Sequence, residues 1–447
     1  RQNCHRGRRA CIRMKIAVVG TGIAGNTVAH HLSKKHEVTV FEAASRIGGH
    51  TNTVTVEHAG RDYAVDTGFI VYNERTYPHF IRLLDKLGVE WQDSDMSFSV
   101  QDARSGLEYN GTSLNALFAQ RRNLLRPSFH RMIRDILRFN REASTLLAPG
   151  AAEPTLQEFL DERAYSKAFV DHYIIPMGAA IWSAKPAIMR HMPARFFARF
   201  FHNHGMLSVN DRPVWRVIKG GSKQYVDRLV RDHLDRIRTR APVQSVQRMQ
   251  EHVTVRVAGA EPEHFDHVFL ACHSDQALAM LADPSEQETS VLGAMTYQKN
   301  EAVLHTDASI MPRRRRAWAA WNYHLLEDSQ ERVAVTYNMN ILQGLDAPVQ
   351  FCVSLNNTAA INPERIIQSF DYEHPVFTAQ AVAAQQRHAD INGERVNGFK
   401  GRTWYCGAYW RYGFHEDGVV SALTALENFN QGQADAERNL QIGRAHV

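Results

Sequence analysis

Cysteine is scarce in this 447-residue chain, with five in all. Cys4 and Cys11 precede Met14, and Cys272, Cys352 and Cys406 lie far apart without a CxxC pair. That excludes a disulfide scaffold, fits a reducing compartment and argues against a structural zinc site. Among 23 histidines neither HxxxH nor HExxH occurs, so no metal centre is expected. No run approaches the ~18 apolar residues needed to span a bilayer. An excess of one charge is missing too. The formal net charge is +5, yet Arg1, Arg6, Arg8, Arg9 and Arg13 sit in an acid-free stretch ahead of Met14, leaving 52 − 5 = 47 basic residues against 47 acidic ones. A neutral body gives no case for a nucleic-acid partner.

Residues 1–13 also lack the apolar stretch of a signal peptide, and Met14 is expected to open the folded body. The closing Ile442-Gly443-Arg444-Ala445-His446-Val447 resembles adapter-derived sequence and carries no fold expectation. Between the ends, composition is that of an ordinary globular protein, 44% hydrophobic and 22% charged. Lys15–Val19 reads as a strand, Ile23–Leu32 as a helix and Glu37–Glu42 as a second strand, the start of a parallel sheet. Leu114, Leu117, Phe118, Arg121, Leu124 and Leu125 follow a helical period, as do Phe129, Met132, Ile133, Ile136 and Leu137. Residues 112–205 are therefore read as mostly helical, punctuated by prolines. Further strands are expected at Val214–Ile218, Val243–Val246, Val253–Val257, Phe265–Ala271 and Gly401–Tyr405, with helices at Lys223–Leu234 and Gly418–Phe429.

The strongest local signal is Gly20-Thr21-Gly22-Ile23-Ala24-Gly25, set between the first strand and the helix. The first glycine allows a tight turn, the second lets a pyrophosphate approach the backbone, and the third lets helix and strand pack closely. The helix N-terminus offers unpaired N–H groups to phosphate. Glu42, 22 residues past Gly20, suits ribose hydroxyls. Strand, glycine loop, helix, strand and acid in that order predict a dinucleotide site.

The stretch Glu42-Ala43-Ala44-Ser45-Arg46-Ile47-Gly48-Gly49-His50-Thr51 resembles the segment following the ribose-binding acid in the flavin amine oxidase and phytoene desaturase superfamily. Gly401–Ala408 and Gly413–Val419 resemble that superfamily's closing motif, with Ala408 where an acid is usual and His50 where an arginine is usual. The resemblance implies FAD, held by Gly20, Gly22, Ile23, Ala24, Gly25, Glu42, Ala43, Arg46, Gly48, Gly49, His50, Thr51, Val243, Gly407, Gly418 and Val419. A more specific resemblance, to bacterial NAD/FAD-binding flavoproteins associated with cyclopropane-fatty-acyl-lipid synthases, rests on Val65–Asn73, Leu304–Asp307 with Met311-Pro312, Trp318–Tyr323, His374–Phe377 and Gly413–Gly418. It covers Met14 to about Phe429 and implies work on acyl chains.

The resulting expectation is an α/β fold: an FAD-binding Rossmann-like domain, plus a mixed-sheet substrate domain carrying the helical insertion. The FAD domain is assigned to 14–88, 214–283 and 398–430, the substrate domain to 89–213 and 284–397, with tails at 1–13 and 431–447. The leading activity is FAD-dependent dehydrogenation of a lipid-like substrate. Amine oxidation, flavin-dependent double-bond isomerisation and an accessory subunit of an acyl-lipid enzyme, with a methyltransferase-type partner, are the alternatives. His415, Glu416 and Asn300 are the catalytic candidates; Tyr72, Trp182 and Tyr412 are assigned to the substrate pocket. His305 and Asp307 are read as a structural pair, and Arg313–Arg316 as a solvated run whose functional alternative is contact with lipid phosphates. A cytoplasmic location, with or without peripheral membrane contact, completes the reading.

Overall fold

The computed structural model describes residues 13–445 except 209, 328–330, 397 and 400, with side chains described to 434. The N-terminal tail up to residue 12, and the expectation attached to it, lie outside the described residues.

Strand β1 (Lys15–Val19), helix α1 (Ile23–Leu32) and strand β2 (Glu37–Phe41) form where the pattern places them. Ile16, Val18, Val38 and Val40 are buried, because a parallel sheet covered on both faces needs near-continuous apolar strands. The sheet has five strands in the order Ile237–Arg238, β2, β1, His267–Leu270, Thr403–Tyr405, every pairing parallel. Its strands come from three stretches far apart in sequence. A long helix, His415–Ala445, packs its first turns on α1 through Val419, Ala422 and Leu426.

A second, seven-stranded sheet runs from Ile366–Val376 at one edge to Leu107–Asn110 at the other. Its pairings are antiparallel except that of Trp321–Leu325 with Phe98–Asp102, so it is mixed. Helices between 114 and 203 pack over it and form the largest core cluster, with Phe129, Phe169, Phe197 and Phe201 at its centre. Among the described residues, no helix is long and apolar enough to cross a membrane.

The 114–125 stretch departs from its helical period. Leu114–Leu117 is one turn capped by Ser113, and Arg121–Leu125 is a separate 3-10 turn. Proline at the first position of Pro127–Glu142 then starts a new helix. Leu114, Leu124 and Leu125 are left on the surface, at 77%, 49% and 88% exposure.

Candidate active site

A cavity of about 1850 Å³ is lined by residues of both sheets and of the helical layer. Ligand pockets span ~300–1,000 Å³, so this one has room for a cofactor and a substrate together. One end is the glycine loop. Gly20 has φ +103°, and a side chain there would meet the Ala271 carbonyl at 2.6 Å. A side chain at Gly25 would collide with the Gly20 carbonyl, whereas one at Gly22 would meet nothing within 4 Å. Gly22 faces open space at the start of α1, where no side chain caps the first amides. Thr21 donates to Glu42 Oε2 from its amide (2.9 Å) and its hydroxyl (2.5 Å), and the Ala44 amide donates to Oε1 (2.8 Å). A carboxylate has about four acceptor sites, which leaves capacity for ribose. Gly48 and Gly49 hold φ +129° and +59°, and a side chain at Gly49 would lie 2.9 Å from Gly22 Cα, so this turn lies directly on the glycine loop. Arg46 donates to the Thr51 carbonyl (3.0 Å) and lines the cavity, as do Ala43, Val243 and Gly407. These residues fit the FAD that the sequence resemblance implies: an open glycine face for phosphate, an acid for ribose and a cation in the same cavity wall.

Beyond the loop the wall is built from aromatic and imidazole rings. His415, the first residue of the long helix, shares its Nε2 with the Thr51 hydroxyl (2.9 Å) and the Tyr225 hydroxyl (2.9 Å) and stacks on Phe69 at 3.5 Å. Burial lowers its pKa to about 3, so it is neutral at pH 7. Thr51 is thereby a strut behind the wall rather than part of its surface. His50 stacks on Tyr372 (5.2 Å) and sits 5.4 Å from His374. Its Nε2 is enclosed without a hydrogen-bond partner, and enclosure holds its pKa well below the usual histidine value. An orphaned polar atom in a cavity wall marks a position where a ligand atom belongs. Gly68 is required beside it, since a side chain there would collide with the His50 carbonyl.

Asn300 stands behind His374, outside the cavity lining. Its Oδ1 accepts from Asn356 Nδ2 (2.8 Å) and Gln298 Nε2 (3.2 Å), and its Nδ2 donates to the Ser183 carbonyl (3.0 Å) and to His374 Nδ1 (2.9 Å). With Nδ1 accepting, His374 carries its proton on Nε2. Burial, reinforced by His273, lowers the His374 pKa to about 4. The backbone cooperates: Ser183 ends its helix at φ +50°, which presents its carbonyl to both Asn300 and Gln298. Asn300 is thus a positioning residue that sets a neutral tautomer. In Asn300→Asp the carboxylate should pair with a protonated imidazole and raise the His374 pKa towards the normal range. Titration of the His374 ring signals by NMR checks this, and an unchanged titration would contradict the assigned tautomer.

Four other candidates, Glu416, Tyr72, Gly418 and Val419, do not line the cavity. The His79 amide donates to both Glu416 oxygens (3.1 Å each) and the Phe80 amide to Oε2 (2.8 Å), and Oε1 also meets His79 Nδ1 at 2.6 Å. Helix α2 (Pro78–Leu87) has Tyr77 at its N-cap and no side-chain cap of its own, so a carboxylate 337 residues away supplies it. Glu416 is corrected from a catalytic candidate to a helix cap. Tyr72 is fully buried against Tyr77 and Phe80 and does not itself line the cavity, although Tyr77 does. Gly418 and Val419 pack against α1, with a side chain at Gly418 meeting Ile23 Cγ2 at 2.6 Å. His305 and Asp307 are structural: His305 bonds Ser354 Oγ (2.8 Å), and Asp307 receives the Ser309 and Asn362 amides.

Trp182 and Tyr412 do line the cavity, in an apolar arm that enters the helical layer. Trp182 packs on Phe200 at 4.8 Å and donates from its indole N–H to the Tyr412 carbonyl (3.2 Å). Ile133, Ile136, Leu137, Met177 and Ile181 continue the arm. His374, Tyr372 and Phe69 are not singled out by the sequence as site residues, although His374 and Phe69 lie in stretches that carry the family resemblance and Tyr372 stands two residues before one.

Three solved structures share this architecture. Cyclohexylamine oxidase from Brevibacterium oxydans IH-35A is 15% identical, with a TM-score of 0.67 over 94% of this chain and 99% of its own. A CLA-producing fatty acid isomerase from P. acnes is 13% identical, with a TM-score of 0.62 over 93% and 98%. Reduced UDP-galactopyranose mutase is 14% identical, with a TM-score of 0.65 over 94% and 96%. At such identities these likenesses establish the fold alone. The sequence model of flavin-containing amine oxidoreductases matches residues 23–308, more than half of the chain. The chain therefore belongs to the flavin-containing amine oxidoreductase family and is an FAD-dependent oxidoreductase, and the glycine loop and Glu42 have the form to hold that cofactor.

Proposed function

We propose that this enzyme dehydrogenates a hydrophobic, lipid-like substrate, a fatty acyl chain in the leading form. The apolar arm carries the reading: Ile133, Ile136, Leu137, Met177, Ile181 and Trp182 line space well beyond the cofactor's needs. Each methylene buried there is worth ~0.8 kcal/mol, which suits an extended chain with few polar atoms. The histidines support it as well. With pKa values of about 4 and about 3, His374 and His415 are weak bases at pH 7, poorly matched to taking a proton from an ammonium group. FAD, when bound, supplies a two-electron acceptor. The chain's own part is to hold the substrate dry, to donate from His374 Nε2–H and to keep His415 neutral. A fatty acid isomerase of the same fold supports an acyl chain in such an arm.

Amine oxidation is the second reading. It is favoured by the family match and by the aromatic surfaces of Phe200, Phe377 and Tyr412 in the cavity wall. Anaerobic mixing separates the two. Phospholipids with unsaturated or methyl-branched chains should bleach the flavin band near about 450 nm, and small primary or secondary amines should not. Met177→Glu and Ile181→Glu should slow lipid bleaching at least tenfold with FAD retained. Rapid bleaching by amines alone would put amine oxidation first, and double-bond migration without any acceptor would identify an isomerase.

A further inference from the structure

From the surface around the mouth of the apolar arm, we infer that this face docks on an anionic lipid bilayer. Leu137 belongs to both places: it lines the cavity and is 49% exposed. Leu117, Ile133 and Ile136 line the cavity beside it. Outside stand Leu114, Leu124 and Leu125, the last two side by side at the tip of a 3-10 turn. The turn is held in place rather than loose. His130 Nε2 bonds the Leu124 carbonyl (2.8 Å), and Arg121 donates to Asn115 Oδ1 (2.6 Å). An exposed leucine pair on a fixed turn, tied through Arg121 and Asn115 to the Leu114–Leu117 turn whose Leu117 lines the apolar cavity, has the form of an interfacial anchor.

Charge selects the occupant. Residues 111–141 hold seven arginines and a single acid, Asp135, which is buried and receives the Ser166 amide and Arg138. The turn Leu114–Leu117 packs against Arg315–Ala317, so the exposed run Arg313–Arg316 adjoins Leu114 despite lying far from it in sequence. Among the described residues Arg121 and Arg122 bond neutral groups, Asn115, the Phe118 carbonyl and the Gly106 carbonyl, so these contacts leave their charge uncompensated. Apolar side chains ringed by arginine match a headgroup layer with anionic lipid. Nucleic acid would meet the arginines but gains nothing from leucine.

Docking rests on these surface residues alone; that the bilayer also delivers substrate into the arm rests on the acyl-chain reading above. The two are separable, because vesicle binding is measured without turnover. The FAD-loaded protein should cosediment with vesicles of phosphatidylcholine containing one-third phosphatidylglycerol, and poorly with phosphatidylcholine alone. Leu124→Glu combined with Leu125→Glu should weaken sedimentation at least tenfold while leaving FAD content and melting temperature unchanged, since both side chains are exposed. Replacing Arg313–Arg316 with glutamine should weaken it severalfold and flatten its salt dependence. No binding to anionic vesicles would overturn docking, as would a leucine variant that sediments like the parent. A dimer dispersed by the same leucine substitutions, without vesicle binding, would assign the face to self-association and overturn it equally.

Discussion

Gly22→Val is expected to give a folded protein that purifies without flavin. Gly22 has an ordinary extended conformation, φ −65° and ψ 178°, so valine introduces no backbone strain, and its Cβ meets no protein atom within 4 Å. The side chain can only fill the space over the first amides of α1, where the pyrophosphate must lie. Absorbance near about 450 nm relative to 280 nm should fall at least tenfold, with the far-UV spectrum retained. Gly25→Val is the contrast. Its side chain would strike the Gly20 carbonyl and also approach Ala271 Cβ to 3.2 Å, so the loop cannot close on β1. Overpacking against backbone has no flexible neighbour to yield, and this variant should fail to fold or lose several kcal/mol. Full FAD occupancy in Gly22→Val would show that the loop is a structural turn without a cofactor.

The difference between those two glycines was legible in the sequence, because the glycine loop is a local device whose parts lie within 30 residues. The same holds for β1, α1, β2 and Glu42. What escaped were partnerships made across hundreds of residues. Glu416 follows a glycine turn beside the flavin motif, and only the fold shows that α2 lacks a cap which this carboxylate supplies. Asn300 is a catalytic candidate in the sequence; in the fold one of its four hydrogen bonds goes to His374 and the other three hold it there. Periodicity also misled at 114–125, where apolar spacing suggests one buried helical stripe. Two short turns broken before Pro127 expose the leucines, and no propensity rule distinguishes a core stripe from a docking surface. His374 enters the sequence reading only within a family motif, since its role depends on a tautomer fixed by Asn300 on the neighbouring strand, 74 residues away in sequence.

A second large effect is expected from acid. His204, His233, His305, His324 and His374 have pKa values lowered to about 4, and His415 to about 3, with burial the leading cause in each. Two of them sit in one buried ladder inside the seven-stranded sheet. His324 Nε2 bonds Thr336 Oγ1, Thr336 bonds Ser354 Oγ at 2.7 Å, and Ser354 bonds His305 Nε2. The unfolded chain takes up protons on these rings as pH falls through 6.5, while the folded chain does not until about 4 or below. Stability is therefore present above the unfolded pKa and lost as pH falls below it, on the order of 2 kcal/mol per histidine between pH 7 and pH 5. Asp66 and Asp417 act the other way. Burial raises both to about 6, so each gains stability as it protonates, by roughly 1 kcal/mol over the same window. Six groups against two leaves a net loss of several kcal/mol, a large share of the 5–15 kcal/mol typical of a folded chain. The melting temperature should fall steeply from pH 7 to pH 5 and be nearly flat from pH 7 to pH 8. His324→Gln, which keeps a polar group beside Thr336, should remove close to one proton from the uptake on unfolding at pH 5. A melting temperature that holds or rises towards pH 5 would mean that these imidazoles are solvated and protonated in the folded state, and the neutral wall assigned to the cavity would go with them.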